Sequence, residues 1–236
     1  IAGTIFTSFA TLYLGYTARF ADAGSITIPL NLVFMAGMLA NTVMTTVYFP
    51  RMTELYGKGD HRSAQSLFTL FSSLIAAFTI LISSVLIAYP TVILTLLYGT
   101  RYQLSAPLLA LLAPLAYVYT MQTVLTFTIV TQGRVRAAMP GAIVPVVLLL
   151  LGFAVVAGRP RDLQSLAVIH VLAAATGLIY QYWRSGYALG SHIGRVGAQL
   201  GIAALCLGAV RLFVPDAPQY MLQSVLMLGL LSLGYA

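Results

Sequence analysis

Residues 48–65 read YFPRMTELYGKGDHRSAQ and hold Arg51, Glu54, Lys58, Asp60 and Arg62, five of the charged residues in a chain with only 12 Lys and Arg and 5 Asp and Glu. The flanking stretches 23–50 and 63–100 carry no charge. Each is longer than the roughly 20 apolar residues a helix needs to cross hydrocarbon. The charged stretch therefore reads as a loop in water between two membrane helices. Pro50 closes the first run, and Gly57-Lys58-Gly59-Asp60 makes a turn. Asp60 is placed as N-cap of the next helix, where its carboxylate accepts from exposed amides and is favoured by the helix dipole.

The pattern repeats outward. Hydrophobic residues are 60% of the 236 and charged ones 7%, against roughly 45–50% and 25% in soluble domains. Further uncharged runs cover 102–133, 137–158, 163–183, 196–210 and 217–236. In a bilayer every backbone N–H and C=O must be paired within the protein, which leaves helices or barrel strands. Barrel strands alternate in polarity over about ten residues, and these runs do not. The fold class expected is all-α integral membrane, a polytopic bundle of about eight helices. They fall near 1–17, 25–49, 67–89, 107–130, 139–157, 164–183, 196–214 and 219–236. Tyr98, Tyr102, Tyr180, Tyr182 and Trp183 fall near predicted ends, where amphipathic rings favour the headgroup layer.

Cys206 is alone, so neither a disulfide nor a cysteine metal site is expected. No cofactor is implied. The net charge of +7 is spread along the joins, which suits anionic headgroups and not nucleic acid, whose track needs clustered Lys and Arg. Even-numbered joins carry Arg51, Lys58, Arg62, Arg134, Arg136, Arg184 and Arg195; odd-numbered ones carry Arg19, Arg101, Arg159, Arg161 and Arg211. Positive-inside reasoning puts the even joins in the cytoplasm. The chain starts at Ile1 and stops inside an apolar run at Ala236, and is read as a piece of a longer protein.

Three phrases, in order, resemble a known family: FPRMTELYGKGD at 49–60, LLYGTRYQLSAPLLALLAPL at 96–115 and TQGRVR at 131–136. They are similar to the C-terminal half of polysaccharide-biosynthesis flippases, within the superfamily of multidrug, oligosaccharidyl-lipid and polysaccharide exporters. The resemblance implies that 1–183 form a six-helix lobe and 184–236 two additional helices, with an N-terminal lobe of the same chain as partner. It implies two lobes rocking about a central cavity in a prokaryotic cell membrane. The implied substrate is an isoprenoid-pyrophosphate-linked oligosaccharide, moved from the cytoplasmic to the outer leaflet. Members similar to the lipid II flippase carry an Arg early in the second helix of this lobe; Asn31 stands there, in PLNLVF. A lipid II flippase is the alternative within the class.

A groove that shields a sugar head calls for helices with one polar stripe. At 100° per residue Thr42 and Thr45 lie within about 40° of Asn31, with Asn41 on the flank. Thr4, Ser8, Thr11 and Gly15 make a stripe on the first helix, and Gln122 stands mid-span with Thr126 one turn on. Asn31, Asn41, Thr42, Thr45 and Gln122 are the candidate cavity residues, because buried amides are costly and rare in spans. Ser72, Ala76, Thr79 and Ser83 are instead expected to be helix packing. His170, an ionisable residue inside a span, is a candidate proton relay or phosphate contact, or a structural hydrogen-bonded imidazole. Arg19, Arg51, Arg134 and Arg136 are candidate phosphate or headgroup contacts, or interfacial anchors.

The rival from another class is an integral-membrane glycosyltransferase or polysaccharide polymerase, which needs a general base or a metal-holding acid. All five acids (Asp22, Glu54, Asp60, Asp162, Asp216) fall in joins, and no nucleophile motif or Gly-rich phosphate loop is present. A non-enzyme is expected. A passive scaffold for cell-wall assembly is the third reading.

Overall fold

In a computed structural model of the chain, the residues described are Ser8, Leu12, 20–156 and 163–186. The helices expected at 1–17 (Ser8 and Leu12 apart), 196–214 and 219–236 lie outside them, as do Thr4, Thr11, Gly15 and Arg19. Every described element is helical. They are α1 (Phe20–Val43), a π-helical turn (Met44–Tyr48), α2 (Phe49–Gly57), α3 (His61–Ala88), α4 (Pro90–Tyr98), a 3-10 turn (Thr100–Ser105), α5 (Ala106–Leu112), α6 (Leu115–Thr131), α7 (Val135–Val156) and α8 (Leu163–Ser185).

Four stretches are long and apolar enough to cross a membrane: Ala23–Gly57, His61–Ala88, Val135–Val155 and Leu163–Ser185. Thr100–Leu112 and Leu115–Thr131, bent by 43°, make a fifth if they act as one span. These coincide with the five spans expected between 25 and 183. Large apolar side chains point outward along them, among them Leu70, Phe78, Leu151, Val155, Leu172 and Ile179. Such a surface is compatible with a multi-pass membrane protein, whose apolar exterior needs no water.

The charged stretch at 48–65 is not a loop. Helix α1 runs through the π turn into α2, and only Lys58–Asp60 separate α2 from α3. Pro50 does not end the helix because it sits in the first turn of α2, where a missing N–H costs little. The π turn just before it re-pairs the backbone, Phe49 N–H bonding to Met44 O. The continuous Ala23–Gly57 helix has 35 residues, about 52 Å at 1.5 Å per residue, against a hydrocarbon core of about 30 Å. The surplus carries the charges out of the apolar layer as a helical hairpin. Gly59 supplies the left-handed turn residue at φ 72. Asp60 caps α3 as expected, its carboxylate accepting from Ser63 N at 3.0 Å. Glu54 accepts from both Arg51 and Lys58 along α2.

Helix α6 is the centre of the bundle and packs on α1, α3, α7 and α8. Ser72, Ala76, Thr79 and Ser83 are all buried, and Ser83 Oγ donates to Ala113 O at 2.9 Å. This is the packing stripe expected for α3. Tyr182 departs from its predicted place in the headgroup layer: it is buried in the core with Met121 and Leu125. Trp183, its neighbour, is 72% exposed. One residue on a helix turns the side chain by about 100°, enough to change layers.

Candidate functional site

Between α1 and α6 lies a groove of 680 Å³. Helix α1 contributes Thr27, Leu30, Asn31, Phe34, Gly37, Met38 and Asn41, and α6 contributes Tyr119, Thr120 and Thr123, with Ser8 and Leu12 beside them. No charged side chain is among these lining residues. The wall mixes apolar and aromatic surface with amides and hydroxyls, as is typical of ligand pockets of about 300–1,000 Å³.

Helix α1 builds its side from the row Asn31–Phe34–Met38–Asn41, spaced 3, 4 and 3 residues along one helical face. Asn31 and Asn41 are exposed, and neither side-chain amide bonds another described residue. Each amide thus offers two donors and an acceptor to the groove. The threonines are already turned inward: Thr27 Oγ1 donates to Ala23 O at 2.6 Å, Thr120 Oγ1 to Ala116 O at 2.7 Å and Thr123 Oγ1 to Tyr119 O at 3.1 Å. The Thr120 and Thr123 protons are spent on their own helix, which leaves oxygen lone pairs as acceptors. Phe34 and Tyr119 pack as a tilted pair with centroids 4.8 Å apart. Gly37 lets α1 come close, for a Cβ there would meet Thr120 Oγ1 at 3.3 Å.

The structure splits the predicted set. Asn31 and Asn41 meet in the groove, and Ser8 joins them. Thr42 and Thr45 do not line it. They donate to carbonyls of their own helix, Thr42 to Met38 O at 3.2 Å and Thr45 to Asn41 O at 3.1 Å. For Thr42 the reason is angular: the α1 lining residues centre about 60° from Asn31, on the Phe34 side, which moves Asn41 toward the middle and Thr42 past the edge. Thr45 lies a turn beyond Asn41, the last α1 residue of the lining, in the π-helical turn. Gln122 is also misplaced by the sequence reading. It faces α8, where Nε2 donates to Ala174 O at 2.6 Å.

That bond belongs to a seam. Gln181 Nε2 donates to Thr126 Oγ1 at 2.9 Å, Gln132 Nε2 to Ser185 O at 3.1 Å and Arg134 Nη1 to Arg184 O at 3.0 Å. Arg134, a candidate headgroup contact or interfacial anchor, caps a C-terminal carbonyl of α8, where the dipole favours a cation. Small residues let the helices close. A Cβ on Gly177 would overlap the Pro145 ring, the Gly141 carbonyl and the Gln122 amide.

His170 is fully buried, and its Nε2 lies 3.0 Å from the Tyr119 hydroxyl. It stands behind the groove wall and holds a residue that forms it. It does not line the groove itself. Arg51 and Arg136 are exposed at helix ends, away from the groove.

Phe34, Met38, Tyr119 and Thr123 were not predicted. A search for polar stripes skips them, yet the spacing of Phe34 and Met38 from Asn31 and Asn41 is readable as a mixed row on one helix. No family model matches this chain, and no curated protein or solved structure matches it either.

Proposed function

We propose that this chain is part of a membrane transporter that moves an isoprenoid-pyrophosphate-linked oligosaccharide from the cytoplasmic to the outer leaflet of a prokaryotic cell membrane, by alternating access and without catalysing a bond change. The observation that carries the reading is a groove whose described lining bears no charge, with amides on α1 and one aromatic ring from each of α1 and α6. A sugar has apolar C–H faces and a rim of hydroxyls. Phe34 and Tyr119 offer flat surface to the first, while Asn31 and Asn41 offer donors and acceptors to the second. The threonine oxygens accept hydroxyl protons. A neutral head fits such walls, whereas a buried phosphate would need a cation. Asn31, in the place where lipid II flippase-like chains carry Arg, favours an oligosaccharide over lipid II.

The test is reconstitution in vesicles with a fluorescent isoprenoid-pyrophosphate disaccharide, following the fraction exposed to an impermeant quencher. Flipping above that of protein-free vesicles, reduced about tenfold by Asn31→Ala with Asn41→Ala, is expected if two hydrogen bonds worth about 1.4 kcal/mol together are lost. No flipping above protein-free vesicles would sink the proposal. Sugar transfer by the chain alone would replace it with the enzyme reading.

A further inference from the structure

A second cavity, of 480 Å³, lies on the charged hairpin and apart from the groove. Arg51 and Leu55 of α2 line one side, and Arg62, Ser63, Ser66, Leu67 and Leu70 of α3 the other, with Asp60 at the turn. The two rows follow helical spacing: Arg51 and Leu55 are one turn apart, and Arg62, Ser66 and Leu70 succeed one another every four residues. Down α3 the lining passes from Arg62 through Ser63 and Ser66 to Leu67 and Leu70, a change from cation to hydroxyl to hydrocarbon over about 12 Å. That gradient matches the depth profile of a phospholipid, from phosphate through glycerol to acyl chain. Leu70 is exposed, and the apolar exterior of α3 continues beyond it through Phe78 and Ile87.

The charges also sort. Asp60 is committed to the Ser63 amide as helix cap, and Glu54 to Arg51 and Lys58. Arg62 makes no salt bridge to a described residue, and its guanidinium stands on the lining of the cleft with Asp60 beside it. Arg51 keeps further guanidinium donors beyond its bond to Glu54.

We propose that this cleft is a binding site for the headgroup of an anionic phospholipid, with the phosphate between Arg51 and Arg62 and an acyl chain along Leu67 and Leu70. The site is independent of transport. Basic recesses between membrane helices on the cytoplasmic side hold acidic headgroups by this chemistry, and the Ser66 hydroxyl completes the phosphate's hydrogen bonds.

The test is native mass spectrometry of the whole chain released from nanodiscs of mixed phosphatidylcholine and phosphatidylglycerol. Wild type is expected to retain one phosphatidylglycerol in preference to phosphatidylcholine by about tenfold or more, since each arginine near an anionic surface contributes on the order of a fivefold factor. Arg51→Gln with Arg62→Gln brings that preference near parity, while Arg101→Gln, an exposed cation elsewhere, leaves it unchanged. Ser66→Trp fills the cleft with both arginines kept, and removes the preference by exclusion. Equal loss in Arg101→Gln, or full retention in Ser66→Trp, overturns the site. Displacement of the retained lipid by millimolar inorganic phosphate overturns the lipid assignment in favour of a free-phosphate site.

Discussion

Two regions of this bundle place amide side chains inside apolar helices, and they use them in opposite ways. Along the seam between α6 and α8, Gln122, Gln132 and Gln181 each donate to a group on the other side. Glycines there let backbones close until no room is left. Along α1, the side chains of Asn31 and Asn41 bond no other described residue and face a groove of 680 Å³. An amide in a span must find a partner because hydrocarbon supplies none. In the seam the partner is protein. In the groove no described residue is the partner, which is why the second region and not the first is the candidate site.

The sharpest way to break this contrast is Gly177→Leu. Its side chain meets the Pro145 ring, the Gly141 carbonyl and the Gln122 amide, so about 3 kcal/mol or more of stability should be lost. Unfolding by denaturing detergent in mixed micelles measures it. A tolerated leucine would mean that the seam is looser than described.

Gln122→Leu should cost about 1 kcal/mol by the same measurement, the scale of one interhelical hydrogen bond plus an orphaned carbonyl. Asn31→Leu and Asn41→Leu should change stability by less than about 0.5 kcal/mol, since neither gives up a protein partner. The order of these three variants is the comparison in numerical form. It is sharpened by labelling: cysteine at 31 and 41 should react with a water-soluble thiol reagent, and cysteine at 122 should not. Equal reactivity at 122 and 31 would erase the distinction.

The smallest effect belongs to the hairpin. Bonds from Ser63, its hydroxyl first and its amide second, hold the Asp60 carboxyl below the usual range. A carboxylate depressed in the fold contributes stability that is complete above about pH 4 and is lost as pH falls through the folded value. Exchange of the Ser63 and Ala64 amides, corrected for the intrinsic rate, should therefore speed up at acid pH in wild type. In Asp60→Asn the dependence should be absent.

Much of this architecture is legible in the order of residues alone. Four spans between 25 and 183, and a fifth if the bent pair acts as one, follow from run length, and the Ser72–Ser83 stripe of α3 follows from the small-residue period. The Asp60 cap follows from a single residue ahead of an apolar run. Other features were out of reach. Pro50 looked like an ending, yet a π turn absorbs its missing donor and the helix runs on. Gln122 and Asn31 look alike in sequence, as amides in apolar surroundings. Tyr182 and Trp183 look like one interfacial pair and occupy two layers.

What the chain by itself determined is which runs make helices apolar enough to cross a membrane, because that depends on the composition of each run and on nothing distant. Which polar side chain is consumed and which is left facing space was decided by tertiary structure alone. The rotation of α6 against both α1 and α8 sets that outcome, and a hydrogen bond across helices needs a partner some fifty residues away, as Gln122 finds in Ala174.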